Sequence, residues 1–137
     1  MSLVIFLPLP PSKNKTKEPR KYIETKGKLR GICVNRMVTS NAVYSYRTAV
    51  KLLIDRALRL TPQRFDDKRK TILQCDWRKP SNRFDCSNWH QELADAIAPA
   101  IGVNDRYFLI RDWNYTIDKY DPGVQVEIWQ DTSLDNP

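Results

Sequence analysis

The sequence has few of the residues that cross-link a small domain or bind soft metals. It has three cysteines, none of them in a Cys-x-x-Cys pair, and one histidine. An odd number of cysteines without paired spacing argues against a disulfide framework and against a zinc site, and it indicates a reducing compartment. The first apolar run, Leu3–Leu7, stops at Pro8, and no later run reaches membrane-spanning length. We therefore expect a soluble cytoplasmic protein with no membrane partner.

The length predicts one domain spanning residues 1–137. A chain of this size buries roughly two thirds of its unfolded surface, which is enough for a hydrophobic core without disulfide bonds.

The net charge of +7 comes from one early segment. Nine basic and two acidic residues lie between Lys13 and Arg36, while the remaining 14 basic and 14 acidic residues cancel. A localised positive excess is typical of a protein with a polyanionic partner such as DNA. The alternative is a solvated lysine-rich loop without a partner. The basic residues of this segment are Lys13, Lys15, Lys17, Arg20, Lys21, Lys26, Lys28, Arg30 and Arg36.

Hydrophobic periodicity predicts an α+β domain in the element order β-α-β-α-β-β. We expect a mixed, mostly antiparallel sheet with two main helices packed on it. The predicted strands are Leu3–Leu7, Lys70–Trp77 and an antiparallel pair, Tyr107–Ile117 and Val124–Trp129, that turns at Tyr120–Gly123. The predicted helices are Asn41–Leu60, capped by Thr39 or Ser40, and Asn88–Ala98. Residues 13–36 form a basic loop or hairpin turning at Gly27, with Ser12–Arg20 as loop, and 131–137 are a polar tail.

The stretch from Arg83 to Asp105 carries the strongest functional pattern. Asp85 lies at the start of the second helix, and Asp105 follows its glycine stop, Gly102. If the two carboxylates lie close together, they can hold a Mg²⁺ ion that generates hydroxide and neutralises charge on a phosphodiester. One helix face is apolar (Trp89, Leu93, Ala96, Ile97), and the other is polar (Asn88, Gln91, Glu92, Asp95).

These motifs resemble the RusA-type crossover junction endodeoxyribonucleases, a family of small dimeric Mg²⁺-dependent Holliday junction resolvases common in prophages. Leu7–Asn14 is similar to the N-terminal strand and Pro-Pro-Ser loop of that family, and Tyr46-Arg47 matches a pair in its first helix. Arg83–Asn88 resembles the family's R-D-x-D-N helix start, and Asn104-Asp105 resembles its later acidic pair.

The resemblance implies a catalytic set of Asp85, Ser87, Asn88, Gln91 and Asp105, with Asp85 and Asp105 as ligands of Mg²⁺ or Mn²⁺. Two positions depart from the family, because Ser87 replaces its middle aspartate and Gln91 replaces its helix lysine. Asp76 or Asp95 could supply a third acid, or both could be surface charges.

Other residues have alternative interpretations. Asp85, Ser87 and Asn88 are also good helix caps. Arg78, Lys79 and Arg83 could replace part of the missing lysine's charge and bind DNA together with the basic segment, or they could form a solvated link. Trp77 could stack on an exposed base. We regard Cys86 and His90 as a weak Cys–His nucleophile candidate, because the sequence shows no group that would orient the imidazole.

The expected function is therefore Mg²⁺-dependent resolution of Holliday junctions or related branched DNA by a homodimer, in recombination and repair. Such a protein would associate with the nucleoid and could be encoded by a prophage. The alternative is a protein of the same fold that binds junctions without cutting them, because Ser87 and Gln91 remove an acid and a base from the site.

Overall fold

The computed structural model of this protein describes residues 2–11, 17–23, 27–28, 30–31 and 33–131, and of residues 17–23 and 33–39 it describes the backbone alone. The expectations for Lys13, Lys15 and Lys26, and for residues 132–137 of the tail, lie outside the described residues.

The α+β prediction is confirmed, with a four-stranded mixed sheet and two helices. A second sheet has two strands. Apolar side chains of both helices and of the larger sheet form one core. None of the described helices is long and apolar enough to cross a membrane. The elements are β1 (Leu3–Leu7), β2 (Lys17–Ile23), β3 (Cys33–Thr39), α1 (Asn41–Leu60), β4 (Thr71–Lys79), α2 (His90–Ile101), β5 (Phe108–Ile117) and β6 (Gly123–Gln130).

The predicted pairing of the last two strands is wrong. The strand order is β1-β6-β4-β5, so β4 lies between β5 and β6. It pairs parallel to β5 and antiparallel to β6. The physical reason is burial, because β4 is buried or half-buried along its whole length, while β5 is exposed at most positions. An apolar strand gains most from a central place, and an exposed one is tolerated at an edge.

The first helix has the predicted bounds. The Ser40 side chain accepts a hydrogen bond from the Val43 backbone N–H, which satisfies one free donor at the helix start. Val43, Tyr46, Val50 and Ile54 form its buried face. Local capping and a 3.6-residue period are enough to fix such an element.

The second helix begins with a 3-10 turn, Cys86–Trp89, that leads into α2. Gly102 ends the helix in the left-handed conformation, with φ +74°, which L side chains rarely adopt. Leu93, Ala96 and Ile97 are buried, as predicted for the apolar face. Glu92 was predicted on the polar face and is 95% buried instead, so that assignment is wrong.

The basic segment contains a hairpin, with β2 and β3 antiparallel and Ile23 opposite Cys33. The predicted turn region includes Gly27, which has a φ of +80°. The loop prediction for residues 12–20 is wrong over Lys17–Arg20, because these residues belong to β2.

Candidate functional site

Asp85 occupies the cap position of the 3-10 turn before α2. Its Oδ1 accepts the backbone N–H of Ser87 at 3.2 Å, and its backbone oxygen accepts the N–H of Asn88 at 3.0 Å. The hydrogen bond from Ser87 is the main reason that the pKa of Asp85 lies below its usual value. Asp85 is therefore both a helix cap and an ionised, solvent-exposed carboxylate, so the two interpretations of this residue are compatible.

A depression of about 460 Å³ lies beside Asp85, within the size range of small-ligand sites. It is lined by the last residue of β4, by residues inside β5 and by the start of the 3-10 turn that precedes α2. Its lining combines two carboxylates, one ammonium group, one thiol, one amide and two large aromatic rings. The lining residues are Lys79, Asp85, Cys86, Asp112, Trp113, Asn114 and Tyr115.

Asp112 is the second carboxylate of this depression, and nothing in the sequence analysis singled it out. Its Oδ1 accepts a hydrogen bond from Trp77 Nε1 at 2.7 Å. His90 Nε2 lies 2.8 Å from Oδ1 and 3.0 Å from Oδ2 of the same carboxylate. Stacking of Trp77 against Trp89 and His90 fixes both donors in place. Asp112 is therefore held firmly at a defined position in the depression.

A β-bulge directs the side chains of β5 towards this depression. Cys75 lies opposite Asp112, but the next β4 residue, Asp76, lies opposite Asn114, so Trp113 has no register partner on β4. Side chains alternate between sheet faces, and an extra residue shifts that alternation by one. Asp112 and Tyr115 consequently face the same side of the sheet, where both line the depression.

Asp105 lies in a different depression from Asp85, beyond the C-terminal end of α2. Its carboxylate lies close enough to Asp95 to raise the pKa of the Asp95 carboxyl, and both residues line that depression. Partial burial is the largest cause of the raised pKa of Asp95, and the Glu92 and Asp105 carboxylates raise it further. The structure therefore brings Asp105 to Asp95 and not to Asp85, and a metal ion shared by Asp85 and Asp105 stays a prediction. Within the described ranges, no cluster of three or more His, Cys, Asp or Glu side chains could hold a metal ion.

Gln91 and Glu92 each have a structural partner. The Gln91 amide donates to Asp95 Oδ1 at 2.9 Å. The buried Glu92 accepts hydrogen bonds from Arg47 Nε at 2.8 Å and Arg47 Nη2 at 3.3 Å. These bonds also raise the pKa of Arg47. The link explains why Glu92 is buried, because its charge is compensated by a cation from α1.

His90 has an orienting carboxylate, Asp112, that the sequence did not reveal. Cys86, however, is not an activated thiol, because partial burial and the nearby Asp112 raise its pKa. A nucleophilic cysteine needs the opposite shift. The Cys–His nucleophile therefore gains an orienting group but no reactive thiolate.

Two predicted surface groups are buried. Trp77 is fully buried and cannot stack on a base from DNA, so that interpretation is wrong. Lys79 is 94% buried and is not part of a solvated link. Its Nζ donates to the Phe84 backbone oxygen at 2.8 Å and lies 4.0 Å from the Tyr115 ring centroid. After the Ser87 hydrogen bonds, its charge also contributes to the lowered pKa of Asp85, and Lys79 lines the depression beside that carboxylate.

The other predicted DNA contacts are placed as follows. Arg83, Lys28 and Arg30 are exposed. Arg78 lies 4.7 Å from the Phe6 ring centroid and 3.5 Å from an Asp121 oxygen. Lys17, Arg20 and Lys21 lie on β2, where the backbone alone is described.

A scan against models of protein families and a search of curated proteins both find no match to this chain.

Proposed function

We propose that this protein is a RusA-like endonuclease that binds branched DNA and cleaves it with Mg²⁺ or Mn²⁺. The observation that carries the proposal is the exposed, ionised Asp85 in a depression that also contains Asp112 and the buried cation of Lys79. A second support is the positive excess between Lys13 and Arg36, which suits a phosphate backbone.

Asp85 and Asp112 are the carboxylates that could hold the metal ion in this depression. Mg²⁺ in nucleotide-processing sites commonly uses one or two carboxylates and retains several water molecules, so two acids are sufficient. The bound ion would supply a hydroxide nucleophile and neutralise charge on the phosphate. The hydrogen bonds from Ser87, with a smaller contribution from the Lys79 charge, would keep the Asp85 carboxylate ionised. Trp77 and His90 would fix the orientation of Asp112.

The decisive experiment compares four single substitutions, Asp85→Asn, Asp112→Asn, Asp105→Asn and Asp121→Asn, on a synthetic four-way junction, with and without Mg²⁺ or Mn²⁺. We expect Asp85→Asn and Asp112→Asn to abolish cutting. Asparagine at position 112 still accepts hydrogen bonds from Trp77 and His90, so the fold should survive. Junction binding should persist or tighten, since a negative charge facing phosphate is removed. Asp121→Asn, at an exposed carboxylate outside the depression, is the matched control.

The outcome also identifies the partner of Asp85. If Asp105→Asn abolishes cutting and Asp112→Asn does not, Asp85 and Asp105 form the metal site. If wild-type protein cuts no branched DNA with either metal, the nuclease proposal fails. A four-way junction has two-fold symmetry, so two symmetrical cuts need two active sites. We therefore propose that the protein is a homodimer. Light scattering of the free protein measures its molecular mass and tests this proposal.

A second candidate function is junction binding without cleavage. It is favoured by Gln91, which has no charge and whose amide is bound to Asp95 where the RusA-type pattern has a lysine. Ser87 likewise adds no charge beside Asp85. Under this alternative, wild-type protein binds junctions but does not cut them. The double substitution Ser87→Asp with Gln91→Lys should then confer the metal-dependent cleavage that wild type lacks. If wild type cuts weakly, the same double substitution should raise its rate by about 100-fold or more, the usual scale of one well-placed catalytic group.

A further inference from the structure

Two large aromatic side chains are exposed at the edge of the Asp85 depression. Trp113 is 72% exposed and Tyr115 is 52% exposed, and both line the depression. Tryptophan is highly buried on average in folded proteins, so a largely exposed one beside a polar depression requires an explanation. Trp113 is also the residue that the bulge leaves without a register partner on β4. Bulges of this kind often re-aim side chains next to functional sites.

The Tyr115 ring is held in place from one side. Lys79 Nζ lies 4.0 Å from its centroid and is itself fixed by the Phe84 backbone oxygen. The attraction between a cation and a ring face is stronger when the cation is desolvated, as the buried Lys79 is. The ring is therefore oriented before any ligand arrives, which lowers the entropic cost of binding.

The charge of the residues that line the depression determines which part of a nucleotide can lie against the Trp113 and Tyr115 rings. Asp85 and Asp112 outnumber the single cation, Lys79, among the described groups that line the depression. A net negative lining disfavours a phosphate unless a metal ion is bound, whereas a base is neutral and offers an aromatic face.

We propose that Trp113 and Tyr115 form a stacking site for one unpaired base at a DNA branch point, beside the phosphate that faces Asp85. The proposal rests on the proposed function, since it assumes that branched DNA is the ligand. A base within a duplex is already stacked on its neighbours and cannot reach these two rings. A branch point offers bases that are easily unstacked. Stacking tolerates any base, so the site selects DNA structure and not sequence.

The test is a binding cycle in EDTA, which separates binding from cleavage. Fluorescence anisotropy measures affinity for a four-way junction and for the same junction with abasic sites at its branch-point nucleotides. We expect Trp113→Ala to weaken binding of the intact junction by roughly 5- to 150-fold, as a stacking loss of about 1–3 kcal/mol implies. The abasic junction should bind wild type and Trp113→Ala equally. Trp113→Phe should restore most of the affinity.

Tyr120→Ala is the matched control, since Tyr120 is 90% exposed and does not line this depression. The stacking site is overturned if Trp113→Ala weakens both junctions equally or leaves the intact junction unaffected. The stacking site is also overturned if Trp113→Ala lowers the molecular mass of the protein in solution and the loss of binding does not depend on the branch-point bases. That result would assign Trp113 to a subunit interface. If wild-type protein binds neither junction, the proposed function fails along with the stacking site.

Discussion

At the scale of single residues, Tyr46 shows how one position can serve the fold at a cost. Its ring is 94% buried in the core, yet its hydroxyl has no hydrogen-bond partner among the described residues. Burial also raises the pKa of Tyr46 far above its usual value, because the charged form would be desolvated. A buried hydroxyl without a partner loses its bonds to water and gains nothing in return.

Removing the Tyr46 hydroxyl should therefore stabilise the protein. We expect Tyr46→Phe to raise the free energy of unfolding by about 1 kcal/mol, measured by urea denaturation. Tyr120→Phe, at an exposed ring, should change it by less than about 0.5 kcal/mol. Destabilisation by Tyr46→Phe would contradict the assignment of an unbonded hydroxyl to Tyr46.

The raised pKa of the Asp95 carboxyl leads to a second prediction at the scale of single residues. A folded-state pKa above the unfolded value means that the folded protein holds this proton more tightly. The resulting stabilisation is complete below the unfolded pKa, for which the reference value is 3.8, and is lost as the pH rises through the folded pKa. Asparagine at this position keeps the hydrogen-bonding shape without a titratable charge.

We therefore expect the stability advantage of wild type over Asp95→Asn to shrink as the pH rises from about 3.8 towards neutrality. Urea unfolding at a series of pH values measures this difference, and Asp67→Asn, at an exposed aspartate, is the control. Stability curves of wild type and Asp95→Asn that run parallel over this range would contradict the assignment of a raised pKa to Asp95.

At the scale of elements, the bond between Arg47 and Glu92 links α1 to α2. Glu92 is almost fully buried, whereas the Arg47 side chain is 38% exposed. Deleting one partner of a buried ion pair leaves an uncompensated charge, which costs about 3–5 kcal/mol, and exposure of Arg47 reduces that figure. We expect Arg47→Ala to lower the free energy of unfolding by about 2 kcal/mol, measured by chemical denaturation.

Lys51→Ala provides a matched comparison on the same helix, because it removes the exposed bridge to Asp55. Its cost should be at most about 0.5 kcal/mol. In the background of Glu92→Gln, the effect of Arg47→Ala should shrink, since no buried charge remains to be compensated. An unchanged effect in that background would mean that Arg47 stabilises α1 through packing and not through the ion pair.

The sequence predicted those elements that local signals determine. The bounds of α1 follow from its 3.6-residue period, the Ser40 cap and the Thr61-Pro62 stop, all of them close in sequence. The neighbours of β5 could not be predicted in this way, because strand order depends on contacts between distant segments. Burial of Glu92 was missed for the same reason, since its partner Arg47 lies 45 residues earlier in the chain.

The candidate site was also predictable only in part. Asp85 was identified because it carries a cap pattern at a helix start, which is a local feature. Asp112 lies inside a strand and has no motif around it. The signal that could have found it is alternation, since Phe108 and Ile110 face the core and an acid follows at the next core-facing position. The bulge at Trp113 leaves no comparable trace in the sequence.

At the scale of the whole molecule, positive charge and the carboxylate depression occupy separate parts of the chain. The net charge of +7 belongs to residues 13–36, whereas the two acids of the depression lie on β5 and in the loop that follows β4. Under the proposed function, the basic segment would contact the DNA backbone and the two carboxylates would hold the metal ion. Each Lys or Arg that contacts a phosphate releases counterions, so it contributes about 0.9 to the slope of log K against log salt.

Lys28 and Arg30 are the exposed basic residues of this segment whose side chains are described, and they test its role. We expect the double substitution Lys28→Gln with Arg30→Gln to weaken binding to junction and duplex DNA alike. It should also reduce the salt slope by up to about 2, measured by anisotropy between 50 and 200 mM salt, roughly the range over which such slopes are resolved.

Arg59→Gln with Lys68→Gln removes the same net charge from exposed positions outside the segment and should leave the slope unchanged. Equal slopes for wild type and the first double variant would mean that this part of the segment does not contact phosphates. Equal losses in both double variants would assign DNA attraction to net charge alone.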